Sequence, residues 1–421
     1  MRNSSGTTVS FAKNVTQELI RIPVLVAALG YLVDMYDLFI FSIVRVSSLK
    51  SINITGDDVL KNGLLLLNLQ MAGLLIGGIV WGVLGDKRGR LSVLFGSILI
   101  YSLANIANGF VTSISAYAVL RFIAGFGLAG ELGAGMTLVS EILPNKIRGY
   151  GAILVSTLGI IGALLAYLIS YLFDWRISYI IGGVLGLLLM VMRIRVFESG
   201  IFVKLKQTSI KRGDVRMLFN NKKRFLKYLT SIVIGMPIWF VVGILITFSP
   251  EMGKAMGITE PIDAGKAVLF AFAAQAVGNI TSGMLSQYLQ SRKKVILLFI
   301  CLSLTFVLIF LLVGARSANS LYLLAACLGF SGGYWTLFIT VAAELFGSNL
   351  RATVATSVPN FVRGTVIPLT ALFVLMKNYL GTINGALVVG LLAYGLAITA
   401  LIYLEETFKK DINYTEVDEE K

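Results

Sequence analysis

Residues 82–90 read Gly82-Val83-Leu84-Gly85-Asp86-Lys87-Arg88-Gly89-Arg90, one acid and three bases among three glycines. The runs on either side, 62–84 and 91–111, carry no charged residue. A bilayer core takes about 20 mostly apolar residues per helix, so the charged segment reads as a tight turn between two membrane spans. Working outward with the same criterion gives twelve spans: 22–47, 62–84, 91–111, 115–143, 149–172, 176–196, 226–250, 264–289, 294–315, 319–346, 350–377 and 382–404. The polar start, Met1 to Glu18, has no small-residue cleavage site after a short apolar core. The first span is therefore expected to act as an uncleaved targeting signal.

Composition supports this reading. The 421 residues are 57% hydrophobic and 14% charged, with a mean hydropathy of +0.84, against about 45–50% apolar and about 25% charged in soluble globular chains. Disorder, collagen-like repeats and nucleic-acid binding are excluded as the main business. The net charge of +14 has a simpler source in the positive-inside bias of membrane proteins. Cys301 and Cys327 both lie in apolar runs and offer no disulfide framework or metal cluster. With no histidine in the chain, a histidine-based zinc or haem site is excluded and proton chemistry must use carboxylates. No Gly-Lys-Ser/Thr phosphate loop occurs, so ATP does not drive the protein. No metal and no cofactor are expected.

Orientation follows from Lys and Arg. With the N-terminus inside, 26 of the 36 basic residues fall in cytoplasmic segments, eight in outer segments (Arg45 among them), and two, Arg121 and Arg363, within spans. Arg193 opens the largest cytoplasmic group, which runs to Lys227. Both termini are expected in the cytoplasm of a cell whose inner or plasma membrane the chain crosses repeatedly. The basic stretch divides six spans from six. Glu141 and Arg148 (EILPNKIR) recur 203 residues later as Glu344 and Arg351 (ELFGSNLR), and Gly82 has a weaker echo at Gly283. A repeat of six spans keeps its orientation, so the halves form a parallel repeat along the membrane normal. The expected fold is an all-α integral membrane protein of twelve transmembrane helices in two six-helix bundles related by a pseudo-two-fold axis. Residues 1–196 form the N-terminal bundle and 226–404 the C-terminal one. A basic cytoplasmic linker, 197–225, joins them, and 405–421 is a cytoplasmic tail.

The turn after the second of twelve spans resembles the G-x-L-x-D-R-x-G-R signature of the major facilitator superfamily, with Lys87 for the usual Arg. Glycines at Gly82 and Gly89 would let helices approach, and Asp86 could cap the next helix or pair with an Arg. The resemblance implies a cytoplasmic charge network that locks the outward-facing state, and Asp86, Arg90, Glu141, Arg148, Glu344 and Arg351 are the matching positions. In the second half Gln287 stands where an acid is usual, which weakens that copy.

Five ionisable residues fall well inside apolar spans: Asp34 and Asp37 in span 1, Arg121 and Glu131 in span 4, and Arg363 in span 11. Unpaired, they would cost on the order of 12–17 kcal/mol together, so they are expected to share a polar cavity. At 1.5 Å per residue, Asp34, Asp37 and Arg363 lie about 18, 23 and 20 Å from the inner ends of their spans, and Arg121 about 9 Å below the outer end. Asp34 and Asp37 sit i, i+3 on one helix face. Three acids and two arginines leave one negative charge, so one proton is expected to be held among them.

The segment Gly30 to Phe41 (GYLVDMYDLFIF) resembles the D-G-[FY]-D first-helix motif of proton symporters for organic acids, with Met35 for the usual Gly. Arg121 to Gly135 (RFIAGFGLAGELGAG) resembles the span-4 pattern of metabolite:proton and sialate/lactate-type symporters, with Ala129 for one Gly. Arg195 to Leu205 is a degraded copy of a sugar-porter motif without its prolines. The resemblance implies proton coupling at Asp34 and Asp37 and a role in coupling or anion holding for Arg121; Glu131 joins the proton-coupling candidates.

Repeat symmetry makes spans 1, 4, 7 and 10 the expected cavity lining. The pocket candidates are Tyr36, Trp239, Tyr334 and Trp335, with Gln70, Gln275, Asn279 and Asn360 adding hydrogen bonds and Arg121 and Arg363 meeting a carboxylate. The small-residue runs Gly73–Gly77 and Gly125–Gly135 read as helix packing. The expected function is not enzymatic. It is proton-coupled uptake of a small organic anion by alternating access, by a monomer whose partners are that anion, protons and the bilayer. A proton-driven drug exporter, an uncoupled sugar or polyol facilitator and a non-transporting nutrient sensor are the rival readings.

Overall fold

Long apolar runs separated by short polar turns leave the backbone no option in a bilayer except helices that satisfy their own hydrogen bonds. The computed structural model describes residues 17–143, 147–194 and 216–408, and among these there is no strand. Eleven of its helices are long and apolar enough to cross a membrane. The last of them, Thr353–Tyr403, holds two spans, because Gly381 interrupts it with φ 80° and ψ 172°. The total of twelve agrees with the sequence.

The spans are as follows. In the first half they are Ile22–Ser51, Asp58–Arg88, Arg90–Asn108, Ile114–Leu128 continued by Glu131–Ile142, Arg148–Leu172 and Trp175–Arg193. In the second half span 7 is Lys222–Phe240, then a π-helical turn Val241–Ile246 and the short helix Ser249–Ala255. Spans 8 and 9 are Ala264–Leu289 and Arg292–Leu308, the latter extended by Ile309–Val313. Span 10 is Ala318–Ser331 continued by Trp335–Glu344, and spans 11 and 12 cover 348–380 and 382–403. The linker motif at 195–205 and the tail from 409 lie outside the described residues.

The packing repeats as the sequence does. Span 1 packs on span 5, span 2 on span 4 and span 3 on span 6; in the second half span 7 packs on span 11, span 8 on span 10 and span 9 on span 12. Spans 4 and 10 are interrupted at equivalent places, Ala129–Gly130 and Gly332–Gly333, 203 residues apart. Contacts of span 2 with span 11 and of span 5 with span 8 form the seam between the halves. The two small-residue runs do pack helices. A Cβ at Gly73 or Gly77 would meet span-4 backbone at Phe122 and Phe126, and one at Gly125 would meet the backbone of Gln70.

The charged turn itself is tighter than a loop. Span 2 ends at Arg88 and span 3 begins at Arg90, with Gly89 alone between them at φ 102° and ψ 160°. That conformation belongs almost only to glycine. Gly82 has a different standing: a Cβ there would meet nothing within 4 Å, so the expected close helix approach is absent at that position. Gly89→Ala should therefore destabilise the protein by about 1–3 kcal/mol, whereas Gly82→Ala should leave it unchanged or gain up to about 1 kcal/mol of helix propensity. Thermal unfolding of the two variants in detergent, followed by circular dichroism, checks the contrast.

Candidate functional site

Five of the six charged positions of the cytoplasmic turns cannot be placed atom by atom, because the side chains of Asp86, Arg90, Glu141, Arg148 and Arg351 lie outside the described residues. The sixth, Glu344 at the end of span 10, pairs with Arg292 at 2.7 Å. Near the second-half turn that lacks an acid at Gln287, Glu406 from beyond span 12 accepts from the Ser291 hydroxyl and from the Arg292 and Lys293 amides at 3.0 and 3.3 Å. Burial pushes the Glu406 carboxyl up, but these bonds outweigh it and hold the group below the usual carboxylate range.

Deeper in the membrane, the two aspartates of span 1 find different surroundings. Asp34 faces the seam: its Oδ2 lies 3.6 Å from a guanidinium nitrogen of Arg363 on span 11, with both groups buried. Arg363 also donates to Asn360 Oδ1 at 3.4 Å and lies 5.9 Å from the Trp239 ring. The Asn360 amide donates to the Ala129 carbonyl across the seam at 2.9 Å, where span 4 is interrupted and a carbonyl is free to accept.

Asp37 points into the N-terminal bundle. Neither of its oxygens has a hydrogen-bond partner, and Gly182 of span 6 has no side chain to crowd it. Arg121 and Asn105 are its polar neighbours. All three nitrogens of Arg121 also lack hydrogen-bond partners; its guanidinium lies 5.0 Å from the Phe41 ring and 5.6 Å from that of Tyr179.

Glu131 is paired by a residue that sequence counting put in a loop. Arg193, in the last turn of span 6, meets it through both guanidinium nitrogens, one contact at 2.9 Å, and donates as well to the Leu94 carbonyl at 3.1 Å. Gly30 of span 1 packs against this pair. Arg45 was likewise counted in an outer segment and is fully buried. It forms two 2.7 Å contacts to Glu251 across the seam, donates to the Thr247 carbonyl at 3.3 Å and lies over the Phe248 ring at 4.3 Å. These placements correct the charge balance. Asp34, Asp37 and Glu131 face Arg121, Arg193 and Arg363, so the formal sum is zero and does not by itself require a held proton. The signal missed in the sequence was Glu131 itself, which in an apolar helix demands a nearby cation, and Arg193 at a span end could reach inward.

Between the halves lies a cavity of about 30 Å³ lined by spans 1, 5, 7, 8, 10 and 11. At about 10–15 Å³ per water it holds two or so waters, so this conformation is nearly closed around it. Tyr31, Phe39, Trp239, Phe272 and Trp335 give it aromatic walls, and Gln275, Asn279 and Arg363 supply polar atoms. The indole Nε1 of Trp239 and the Oδ1 of Asn279 have no partner. Of the pocket candidates, Trp239, Gln275, Asn279, Trp335 and Arg363 line this cavity. Tyr36, Gln70, Arg121, Tyr334 and Asn360 do not: Tyr36 donates to the Ser178 carbonyl at 2.8 Å and Tyr334 to that of Ile234 at 3.1 Å. Span 5, with Ser156 and Ile160, and Tyr31 on span 1 are lining that the sequence reading does not include.

The Glu131–Arg193 pair makes a stability prediction. Truncating either partner strands a buried charge, at about 3–5 kcal/mol. Glu131→Gln and Arg193→Gln should each lower the unfolding temperature sharply, and the double variant should recover much of the loss in a double-mutant cycle; strict additivity would contradict the pairing.

Comparisons with known proteins bear on the family and the fold. The family model described as Major Facilitator Superfamily matches residues 27–364. A Bacillus subtilis protein named as a niacin/nicotinamide transporter is 27% identical over 340 residues, covering 78% of this chain and 81% of that one. A Cupriavidus pinatubonensis protein named as a 4-methylmuconolactone transporter is 24% identical, covering 90% and 89%. The benzoate transport protein of Acinetobacter baylyi is 23% identical, covering 68% and 69%. Among solved structures, the crystal structure of a D-xylose-proton symporter superposes with a TM-score of 0.70 at 17% identity, covering 93% of this chain and 99% of that one.

Proposed function

The chain belongs to the Major Facilitator Superfamily, and from that premise we propose that it takes up a small aromatic carboxylate together with protons, by alternating access. The observation that carries this reading is Arg363, a permanent cation on the wall of an aromatic cavity, whose only acidic partner among the described residues is Asp34 at 3.6 Å. A carboxylate entering the cavity competes with Asp34 for the guanidinium, and charge-assisted hydrogen bonds favour it once Asp34 is neutralised by a proton. Flat rings suit walls built from Trp239, Trp335 and Phe39. The printed names of the relatives, niacin, benzoate and a muconolactone, are small ring compounds of that kind.

Protonation of Asp34 would hand Arg363 to the substrate, and the loaded, charge-compensated cavity could then reorient; Asp37 would hold a second proton-exchanging position. Glu131 has its own cation in Arg193 and would serve to brace spans 1, 4 and 6. Reorientation would break seam contacts at each end in turn, among them Arg45–Glu251 at the end that charge counting makes outer and Asn360–Ala129 toward the other. The termini would be cytoplasmic, the membrane the plasma membrane and the working unit a monomer. A drug exporter fits less well, since the cavity-facing acid is already compensated by an arginine.

Trp239 and Trp335 make binding directly readable. Quenching of tryptophan fluorescence by benzoate or nicotinate should weaken about 10- to 100-fold in Arg363→Gln, the loss of one charged hydrogen-bonded contact. In the wild type binding should tighten as pH falls, because a proton on Asp34 frees Arg363. Asp34→Asn should bind at least as well at pH 8 and lose that pH dependence. Unchanged binding by Arg363→Gln would overturn the assignment.

A further inference from the structure

Three buried hydroxyls form a continuous chain through the upper part of the N-terminal bundle. Tyr117 of span 4 donates to Ser48 Oγ at 3.3 Å, and its hydroxyl lies 2.9 Å from that of Tyr179 on span 6. Because the Tyr117 proton is committed to Ser48, Tyr179 is the donor of the second bond. Ser48 donates onward to the Arg45 carbonyl at 3.0 Å and stands two residues from the exposed Lys50. At the other end, the Tyr179 ring lies against Arg121, beside Asp37.

Span 3 runs a second polar row down the same interior. Asn108 and Asn105, one turn apart, are fully buried, and among the described residues none of their four amide N and O atoms has a hydrogen-bond partner. One turn further down, the hydroxyls of Tyr101 and Ser102 are also without partners. A buried polar group left unpaired costs about 1–3 kcal/mol, so a row of this kind on one helix face opposes packing and points to traffic in protons or water. Facing it, Gly182 and Gly186 of span 6 present no side chain toward Asp37 and Ser102. None of these residues lines the cavity between the halves.

We propose that the hydroxyls of Ser48, Tyr117 and Tyr179 and the amides of Asn105 and Asn108 form a proton track inside the N-terminal bundle, joining its Arg45 end to Asp37 without entering the substrate cavity. This rests on the proton-symport reading and adds the route. In this structure the row donates toward Arg45, so inward transfer needs the three hydroxyls to rotate first. Ser48, taking up a proton, then donates to Tyr117, Tyr117 to Tyr179 and Tyr179 toward Asp37, each O–H breaking as the next forms, with no change of oxidation state. The ionisable groups facing Asp37 are Asp34 and Tyr36 on its own span, Tyr101 on span 3, Arg121 on span 4 and Tyr179 on span 6. The separation lets proton and carboxylate enter by different paths, while the i, i+3 spacing of Asp34 and Asp37 keeps the two sites electrostatically coupled.

The test uses proteoliposomes holding an internal pH dye, with benzoate and nicotinate as probes. Tyr117→Phe/Tyr179→Phe and Asn105→Leu/Asn108→Leu should lower proton-driven accumulation roughly tenfold or more, the scale of a lost proton relay. Counterflow of the labelled probe at equal pH, which needs no net proton movement, should stay near the wild-type rate. Asn105→Ser/Asn108→Ser, which keeps polar atoms, should restore coupling and so exclude a folding defect. Proton entry at the wild-type rate in both double variants, or equal loss of counterflow and accumulation, would overturn the track. A wild type that moves neither probe nor protons would instead remove the symport reading beneath it.

Discussion

Four arginines, Arg45, Arg121, Arg193 and Arg363, are each under 2% exposed in a surrounding that is otherwise hydrocarbon. A guanidinium does not lose its proton in a protein, so the only relief available is a counter-charge or a ring face. Three have taken an acid. Arg193 closes on Glu131 within one bundle and so fastens helices that travel together. Arg45 and Arg363 close on Glu251 and Asp34 across the seam, and so fasten one half to the other. Among the described residues Arg121 has no acid within ion-pair distance and no hydrogen-bond partner, and it rests on Phe41 and Tyr179. Arg193 and Arg45 are equally well satisfied, each with three hydrogen bonds to carboxylate and carbonyl oxygens, and the Arg363–Asp34 pair at the cavity is the longest contact of the three.

The seam inherits its geometry from the repeat. Spans 4 and 10 break at positions 203 residues apart, and both breaks leave carbonyls that polar side chains of the second half use: Asn360 at Ala129 and Gln275 at Gly332. Span 7 gains a π-helical turn just before Thr247, whose hydroxyl donates to the Val242 carbonyl and to Ser42 Oγ across the seam. Irregular backbone is tolerated at membrane depth only where protein or a polar cavity receives it, and the breaks of spans 4 and 10 and the π-helical turn of span 7 are all met by polar side chains. The contacts at the two ends of the cavity are few and polar, as parts that alternate between made and broken need to be.

Most of the fold was legible from residues. Twelve apolar runs, the Lys/Arg bias, and the recurrence of Glu141 and Arg148 at Glu344 and Arg351 carry strong physical signals, because bilayer thickness and charge cost admit few alternatives. The site was legible in kind but not in assignment. Asp34, Asp37, Arg121 and Arg363 stand out as charges in apolar helices, yet helical spacing does not say which aspartate faces which arginine; Asp34 turned to span 11 and Asp37 to span 4. Arg193 and Arg45 were hidden by a counting rule that treats a base at a span end as solvated, although its long stem can fold inward. Tyr117, Tyr179 and Asn105 carried no signal in the sequence, since a lone aromatic or amide in a membrane helix reads as packing until its partners are known.

The claim on which the account turns is that Arg363 exchanges Asp34 for a substrate carboxylate as a proton enters. The most direct measurement is the internal pH of proteoliposomes carrying the wild-type protein, challenged in turn with aromatic carboxylates, neutral sugars and cationic drugs. Acidification with the aromatic carboxylates, and with neither of the other classes, is the predicted result. Silence for every carboxylate together with a rise in internal pH on adding a cationic drug would contradict the account.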